Sequence, residues 1–219
     1  MSAMELFENR TDAGKQLAEA LKRYQDSPDG IVLGLARGGV PVAYEVARKL
    51  GLPLDVLCPR KVGAPMNPEF AIGAITESGE GIFDEETIRR LGIPEEYLNA
   101  EVAREREKAK RRIEAYRKGG APLNLEGKTV ILVDDGLATG ATMKAAIKSA
   151  RSQGAAQIVA AFPVSPLETL REIEELADDL ECLETPPFFQ AVGQFYRDFS
   201  ATTDQEVIDL LHRGDEKTS

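Results

Sequence analysis

Residues 130–143, VILVDDGLATGATM, determine the fold prediction for this chain. The four apolar residues at the start are typical of a buried strand, and Asp134 and Asp135 stand where that strand ends. Adjacent carboxylates repel each other, and burying either of them without a partner is unfavourable. The sequence therefore predicts that hydroxyl groups or a cation meet the two carboxylates in the working protein.

The residues after the acidic pair favour a loop that binds an anion. Gly136 and Gly140 allow tight turns, and a helix predicted to begin at about Thr139 brings its positive end to the same point. The N–H groups from about 137 to 141 are expected to point into one concavity, where Thr139 and Thr142 add hydroxyl donors. Hydrogen bonds to a charged group contribute about 1.5–3 kcal/mol each, so a phosphate is a suitable ligand. The carboxylates before the loop suit a ribose diol, or a magnesium ion bound to it.

Outward from this stretch, short apolar runs alternate with helical patterns along the chain. This order predicts an α/β fold with a doubly wound, mostly parallel sheet, in which ligands bind beyond the carboxyl ends of the strands. The loops LARGG, PRKVGAP and DDGLATGAT leave those ends. The apolar runs predicted as strands of this sheet are 31–35, 54–58, 128–133, 157–164 and 180–183.

The middle of the chain departs from this alternation. Residues 70–75 and 81–83 flank the turn-rich ESGEG and predict a hairpin. Helices are predicted over Asp84–Leu91 and Glu95–Lys118, which together form a helical insert (about 84–118). From residue 101 onward the second helix carries eight Lys and Arg against four Glu. Such a helix is more often solvated than a surface for phosphate or for a partner.

Composition and charge exclude several classes of protein. We predict one domain over residues 1–219, and its net charge of -10 disfavours broad contact with nucleic acid. No apolar run approaches the length of about 18 residues that spans a membrane, and no signal peptide is evident, so we expect a cytoplasmic protein. Cys58 and Cys182 are expected to be reduced, buried thiols. With His212 as the sole histidine, neither a His/Cys zinc site nor a Ser-His-Asp triad is expected.

An apolar strand, an acidic pair, small residues and then Thr-Gly-x-Thr resemble the 5-phosphoribosyl-1-pyrophosphate (PRPP) motif of the type I phosphoribosyltransferases. The resemblance implies that Asp134 and Asp135 hold the ribose hydroxyls and, through these or through water, a Mg²⁺ cofactor. An acidic strand end that merely leads into a helix cap, as in response-regulator folds, leaves the Thr-Gly-x-Thr spacing unexplained. The residues implied to bind the 5′-phosphate are Gly136, Leu137, Ala138, Thr139, Gly140, Ala141 and Thr142.

Two further loops match the family's order. In the resemblance, Arg37, Gly38 and Gly39 occupy the pyrophosphate loop, and Arg60 and Lys61 stand where the family places a pyrophosphate-binding base. Read alone, Arg-Gly-Gly is more often a plain turn, and Arg60-Lys61 fits a solvated charge pair equally well. Their position at one sheet edge strengthens the resemblance.

RKVGAPMNPEFAIGAI (60–75) is similar to a poorly characterised subgroup of predicted phosphoribosyltransferases. The resemblance then covers most of the chain and weakens between about 84 and 125. Members of the family usually carry a flexible catalytic loop after the second strand, and residues 62–78 are expected to supply it. Within it, Glu69 fits a general acid or base, or more often a salt-bridged surface residue.

The sequence departs from the family's pattern in places. Many members have a bulkier residue than Gly136 and a Thr in place of Ala138, although neither difference removes a needed donor. The helical insert is unusual for the family. We expect residues 186–219 to form a small C-terminal hood, in which Phe188 or Phe189 either stacks on the base or anchors the segment by apolar contact.

The resemblance implies that the protein transfers the 5-phosphoribosyl group of PRPP to a small-molecule nitrogenous base and releases pyrophosphate, as in nucleotide salvage. Its expected partners are PRPP and the base, with a homodimer as an open alternative and neither nucleic acid nor membrane. A rival hypothesis is a regulatory protein that keeps the fold and senses PRPP without catalysis. A third is retention of the fold with another phosphosugar as ligand.

Overall fold

The computed structural model describes residues 6–76, 78, 81–117 and 123–215, and a five-stranded parallel sheet forms its centre. Within these residues the strands are β1 (Gly30–Leu35), β2 (Leu54–Leu57), β3 (Arg60–Ala64), β4 (Asn67–Ile75), β5 (Gly81–Phe83), β6 (Thr129–Val133), β7 (Gln157–Val164) and β8 (Asp179–Glu184). The parallel sheet has the order β2–β1–β6–β7–β8. The predicted α/β fold with a mostly parallel sheet is therefore confirmed.

Helices cover both faces of this sheet. One apolar cluster packs α1, α2, α7 and part of α4 against one face, and a second packs α5 against the other. Strand β1 shows the reason, because Val32 points into the first cluster while Leu33 and Leu35 point into the second. The α-helices are α1 (Arg10–Ala20), α2 (Gly39–Leu50), α3 (Glu85–Arg90), α4 (Glu95–Arg117), α5 (Ala141–Ser152), α6 (Leu167–Glu174) and α7 (Asp204–Asp215).

A separate antiparallel sheet, β3–β4–β5, follows the second strand of the central sheet. The hairpin predicted from 70–75 and 81–83 is confirmed, with Gly73 opposite Phe83. The prediction of a flexible loop over 62–78 is wrong, because most of it is strand. Val62 and Ile72 are fully buried and pack with apolar side chains of α3 and α4, which fixes the segment.

Helix α4 of the insert is tied to the central domain by polar contacts at its C-terminal end. The Tyr116 hydroxyl donates to Asp204 Oδ1 at 2.5 Å, and Arg117 Nε donates to Asp55 Oδ1 at 3.0 Å. The predicted helices 84–91 and 95–118 correspond to α3 and α4, although Lys118 lies outside the described residues. The insert thus rests on β2 and α7.

The start of α5 differs from the prediction, and α6 begins without a side-chain cap. Helix α5 begins at Ala141, because Gly140 takes a left-handed conformation with φ of 69° as its N-cap residue. Helix α6 begins at Leu167 with Pro166 as the N-cap residue, and the Ser165 hydroxyl donates to the Pro166 carbonyl instead of capping the helix.

Other expectations concern thiols and membranes. Cys58 and Cys182 are both free, with Cys58 buried as predicted and Cys182 only half-buried because it lies on the edge strand β8. Among the described residues, no helix combines the length and apolar character needed to cross a membrane. The side chain of Glu69, residues 77, 79 and 80 of the predicted turn, and the last four residues of the predicted hood lie outside the description.

Candidate active site

The acidic pair lies at the carboxyl edge of the central sheet, directly after β6. Asp134 Oδ1 accepts the backbone N–H of Asp135 at 2.9 Å, so the two residues form one local unit. The loop after β1 packs against this unit. A Cβ atom at Gly38 would collide with the Asp135 carboxyl group, and one at Gly39 would lie 2.5 Å from the Val133 carbonyl oxygen. The absence of side chains at Gly38 and Gly39 therefore lets the predicted pyrophosphate loop touch the acidic pair.

Arg10, from the first turn of α1, holds Asp135. Its Nε donates to Asp135 Oδ2 at 2.7 Å, and its second nitrogen donates to the Ser200 carbonyl at 2.6 Å. The guanidinium also lies over the Phe199 ring, 3.9 Å from the ring centroid. The Tyr196 hydroxyl donates to the Asp135 carbonyl at 2.6 Å. Arg10 of α1 and the segment from Tyr196 to Ser200 thus position Asp135 together.

The two carboxyl groups share an environment that disfavours ionisation. Burial raises the pKa of Asp134 well above its usual range, and the neighbouring charge of Asp135 raises it further. Burial also raises the pKa of Asp135, although Arg10 opposes the shift. Each group keeps one oxygen outside the hydrogen bonds just described. A ligand that supplied hydroxyl donors or a cation to these oxygens would favour the ionised pair.

The loop from Gly136 to Thr142, which we call the phosphate loop, forms a turn that leads into α5. At Gly136 φ is 152°, and a Cβ atom there would lie 2.6 Å from a methyl carbon of Val192. The Thr169 hydroxyl donates to the Ala138 carbonyl at 2.6 Å and so holds that carbonyl against α6. The N-cap residue Gly140 provides no side-chain cap, and the Ala141 N–H makes a long hydrogen bond of 3.5 Å to the Thr139 hydroxyl. The N–H groups of Thr142 and Met143 are therefore candidates for a ligand.

Leu137 departs from the expectation that its N–H faces the concavity. That N–H donates to the Val164 carbonyl at 2.9 Å, and the Leu137 side chain is buried in the core. The apolar side chain draws the start of the loop onto β7. The amides that remain as candidates for an anion therefore begin at Ala138.

A cavity of about 840 Å³ lies between the phosphate loop and the antiparallel sheet. Its floor is the phosphate loop, and Lys61 lines it from β3. Phe70 and Phe83 form the apolar wall on β4 and β5, beside Asp84, while Lys144 lines it from α5. A planar ring could enter between this wall and the loop.

Arg37 and Arg60 do not line this cavity, in contrast to Lys61. Arg37 lies 3.8 Å from Asp204 of α7. Arg60 makes an ion pair of 2.9 Å with Glu105 of α4. Successive residues of a strand point to opposite faces, which separates Arg60 from Lys61. The structure thus brings Lys61, but not Arg60, to the phosphate loop.

The two phenylalanines predicted to stack on a base lie away from the cavity lining. Phe188 is 83% exposed. Phe189 packs on Phe195 with ring centroids 5.2 Å apart. The second alternative from the sequence, apolar anchoring of the C-terminal segment, thus describes Phe189, while Val192 of the same segment does reach the cavity.

Several site residues were missed by sequence reasoning, namely Arg10, Phe70, Phe83, Asp84, Lys144, Thr169 and Tyr196. Arg10 and Tyr196 reach the acidic pair from distant parts of the chain, so no local pattern marks them. Phe70 also lacks a clear sequence signal, because only the structure shows that this aromatic side chain is exposed beside the cavity. It is 45% exposed.

The described residues contain no group of three or more His, Cys, Asp or Glu side chains that could hold a metal ion unaided. The adjacent carboxylates nevertheless fit a hard divalent cation whose remaining ligands come from water or a substrate. Such an ion would be held mainly by oxygen atoms outside the protein.

The parallel sheet, with an acidic strand end and a glycine-containing phosphate loop, defines a type I phosphoribosyltransferase-like fold. The chain belongs to the phosphoribosyl transferase domain family, whose sequence model matches residues 3–200. The resemblance stated from the sequence is thereby confirmed.

Two curated proteins and one crystal structure are similar to this chain over most of its length. Two curated proteins from strains of Mycobacterium tuberculosis, each named "Putative phosphoribosyl transferase", are 44% identical over 210 residues. That match covers 96% of this chain and 47% of theirs, so the chain spans about half the length of these relatives. The crystal structure of TT1426 from Thermus thermophilus is 43% identical, with a TM-score of 0.79, over 94% of this chain and 98% of that one.

Proposed function

We propose that the protein transfers the 5-phosphoribosyl group of PRPP to a nitrogenous base and releases pyrophosphate. The observation that carries this proposal is the adjacency of three parts at one sheet edge. The phosphate loop starts directly after the acidic pair, and Gly38 and Gly39 pack on that pair. A 5′-phosphate, a ribose diol and a pyrophosphate have the same adjacency in PRPP.

The ligand's groups can be assigned to parts of the site. The 5′-phosphate would accept hydrogen bonds from the amides of Ala138 to Thr142 and from the first turn of α5. The ribose hydroxyls would donate to Asp134 and Asp135. The pyrophosphate would extend over Gly38 and Gly39, with Lys61 as a cation of the cavity lining.

The acceptor base would occupy the space between the ribose and the wall of Phe70 and Phe83. Its ring would stack on apolar surface. Asp84, which also caps α3, and Lys144, which also pairs with Glu172, line the same cavity and would accept or donate hydrogen bonds. This arrangement presents a ring nitrogen to the anomeric carbon. The bond from that carbon to pyrophosphate breaks as the bond to nitrogen forms, and the nitrogen's proton is then lost to solvent.

Charge stabilisation would provide most of the catalysis. Positive charge develops on the ribose ring, close to the carboxylates of Asp134 and Asp135, while negative charge leaves with pyrophosphate toward Lys61. The carboxyl oxygens fit Mg²⁺ held through ribose hydroxyls or water, and a bound Mg²⁺ would neutralise charge on the departing pyrophosphate.

Calorimetry with PRPP and Mg²⁺ tests the binding half of this proposal. We expect the folded double variant Asp134→Asn/Asp135→Asn to bind at least about tenfold more weakly, since each lost hydrogen bond to a charged group removes about 1.5–3 kcal/mol. Asp29→Asn is a matched control, because Asp29 is exposed and precedes β1 at the opposite edge of the sheet. Unchanged PRPP affinity in the double variant would refute the proposed site.

Pyrophosphate release tests the chemical half. The protein is incubated with PRPP, Mg²⁺ and a panel of purine and pyrimidine bases, and we expect release that depends on one base. Release that is lost in the double variant but kept in Asp29→Asn would support transfer at this site. PRPP binding without release for any base would instead favour the rival function of a PRPP sensor.

A further inference from the structure

A second cavity, of about 350 Å³, lies between α4, the start of β3 and the start of α7. Its lining includes four cationic side chains against one carboxylate, although the whole chain has a net charge of -10. We call it the basic cavity. The charged residues that line it are Arg60, Lys108, Arg111, Arg112 and Asp204.

A buried carboxylate forms ion pairs with two of these cations. Glu105, whose side chain is 6% exposed, accepts from Arg60 at 2.9 Å and from Lys108 at 2.6 Å. Its single negative charge offsets one of them. The remaining cations converge from two elements of the chain, and like charges brought together repel unless an anion joins them.

Arg111 and Arg112 make weaker ion pairs than Arg60 and Lys108 do. Arg111 pairs with Glu107, where both side chains are more than half exposed, so water weakens the interaction. Arg112 lies 3.8 Å from Asp204, which is beyond hydrogen-bond distance. Asp204 is also approached by Arg37 at 3.8 Å and by the Tyr116 hydroxyl at 2.5 Å. Its one charge is therefore shared among several donors.

The basic cavity is separate from the cavity over the phosphate loop. Arg60 and Lys61 are neighbours on β3, yet Arg60 lines the first and Lys61 the second. No residue lines both cavities among those described. Arg37, which approaches Asp204, connects the basic cavity to the loop after β1.

We propose that the basic cavity is a second anion site that binds a phosphate-bearing small molecule, with pyrophosphate as the simplest member of that class. Guanidinium groups bind phosphate oxygens in pairs, and the cavity presents three arginines and a lysine to one volume. The ligand is either the pyrophosphate leaving the transferase site or a free phosphorylated effector. The existence of the site does not depend on the proposed function.

Lysine footprinting can detect a ligand in the basic cavity directly. Lys108 lines the basic cavity, whereas Lys110 of the same helix is exposed and does not. The full chain is acetylated with and without pyrophosphate, in the presence of a chelator, and modification rates are measured by mass spectrometry. We expect pyrophosphate to slow acetylation of Lys108 and to leave that of Lys110 unchanged. Equal slowing at both lysines, or at neither, would overturn the proposal.

The variant Arg111→Gln/Arg112→Gln shows whether the cavity causes the protection. We expect it to need at least about tenfold more pyrophosphate for the same protection of Lys108, since charge-assisted hydrogen bonds are lost. Arg106→Gln is the matched control, because Arg106 is exposed on α4 and does not line the cavity. Circular dichroism confirms that each variant is folded. Protection that is unchanged in the double variant would also overturn the proposal.

Two arms distinguish the source of the anion. If pyrophosphate is the ligand, no nucleotide or sugar phosphate in a panel protects Lys108 at a lower concentration than pyrophosphate does; if a phosphorylated effector is the ligand, one member of the panel does. Both results support an anion site. Asp134→Asn/Asp135→Asn separates this inference from the transferase proposal, because it should keep the protection of Lys108 while it loses PRPP binding.

Discussion

At the scale of the residue, the ionised form of Asp134 would favour ligand binding but disfavours the stability of the free protein. Burial and the charge of Asp135 both raise its pKa, so its ionised form is unfavourable in the free protein. The same charge is what a ribose diol or a cation would need. Residues that hold such unfavourable charges are typical of functional sites.

Asp134→Asn is therefore expected to stabilise the free protein at neutral pH by about 1 kcal/mol, because it removes a buried carboxyl group whose ionisation is disfavoured by burial and by the charge of Asp135. An asparagine oxygen can still accept the N–H of Asp135, so the local fold is kept. For a chain of this size the melting temperature should rise by about 2–4 °C. Thermal denaturation without ligand measures this effect, and a lower melting temperature for the variant would contradict it.

The sequence predicted the acidic pair but not the residues that hold it. Two adjacent carboxylates after an apolar run form a local pattern whose chemistry can be read directly. Arg10 lies 125 residues before Asp135, and only the tertiary structure brings its guanidinium to that carboxylate. Nothing in the residues around Arg10 marks it as different from other arginines on helices.

At the scale of the element, the phosphate loop depends on α6. The Thr169 hydroxyl is the donor that holds the Ala138 carbonyl, and its methyl group faces Gly140. The loop is thus fixed by a helix that contributes no residue to the cavity lining. Its rigidity should determine how well the following amides meet a phosphate.

Thr169→Val should weaken phosphate binding at this loop, because valine keeps the shape of threonine but cannot donate to Ala138. We expect a loss of about 1 kcal/mol in stability and a several-fold lower affinity for PRPP. Thr169→Ser, which retains the hydroxyl, serves as the control. Calorimetry on both variants checks the expectation, and a valine variant that binds like the wild type would count against it.

Helix α4 is held to β3 by Glu105, which gives the protein an acid-sensitive contact. Burial alone would raise the pKa of Glu105, but the hydrogen bonds from Lys108 and Arg60 outweigh it and lower the pKa below the usual 4.5. The ionised carboxylate therefore favours folding. Its contribution is complete above about pH 4.5 and is lost as the pH falls through the lowered pKa.

Glu105→Gln should reduce the free energy of unfolding by about 2 kcal/mol at pH 7, because it leaves two cations beside a neutral group. The difference between the variant and the wild type should shrink as the pH falls below 4.5. Urea denaturation at several pH values measures it. A difference that stays constant down to the lowest pH would show that the charge of Glu105 is not the cause.

The central strands could be predicted from the sequence because each lies in a short, mostly apolar run between two helical patterns. Strand β3 could not, because Gly63 and Pro65 interrupt its pattern within a few residues. A strand in a small antiparallel sheet depends on its neighbours for stability. Val62 and Ala64 become buried only after β4 and α4 pack against them.

At the scale of the whole molecule, the candidate acceptor pocket lies between two sheets rather than under a C-terminal hood. The antiparallel sheet supplies Phe70 and Phe83, and the central sheet supplies the phosphate loop. The C-terminal segment contributes Val192 and otherwise supports the acidic pair through Tyr196. Under the proposed function, different parts of the chain would recognise the acceptor and the ribose.

Phe70→Ala should raise the KM for the acceptor base while it leaves the affinity for PRPP close to that of the wild type. Loss of one ring stacked on a base corresponds to about 1–3 kcal/mol, or roughly a tenfold change or more. Phe188→Ala is the control, since Phe188 is exposed and away from the cavity. Steady-state kinetics with the active base measures both KM values. A larger increase in KM for Phe188→Ala than for Phe70→Ala would instead support stacking of the base on the C-terminal hood.

The contacts of Arg10 have a consequence for biogenesis. Its hydrogen bond to Ser200 joins residues 190 positions apart, so it closes only after the segment around Ser200 has left the ribosome. Contacts of such long sequence separation form late and slowly. A nascent protein could therefore possess its central sheet while it still lacks a competent acidic pair, and the gain of ligand affinity would report the last stage of its maturation.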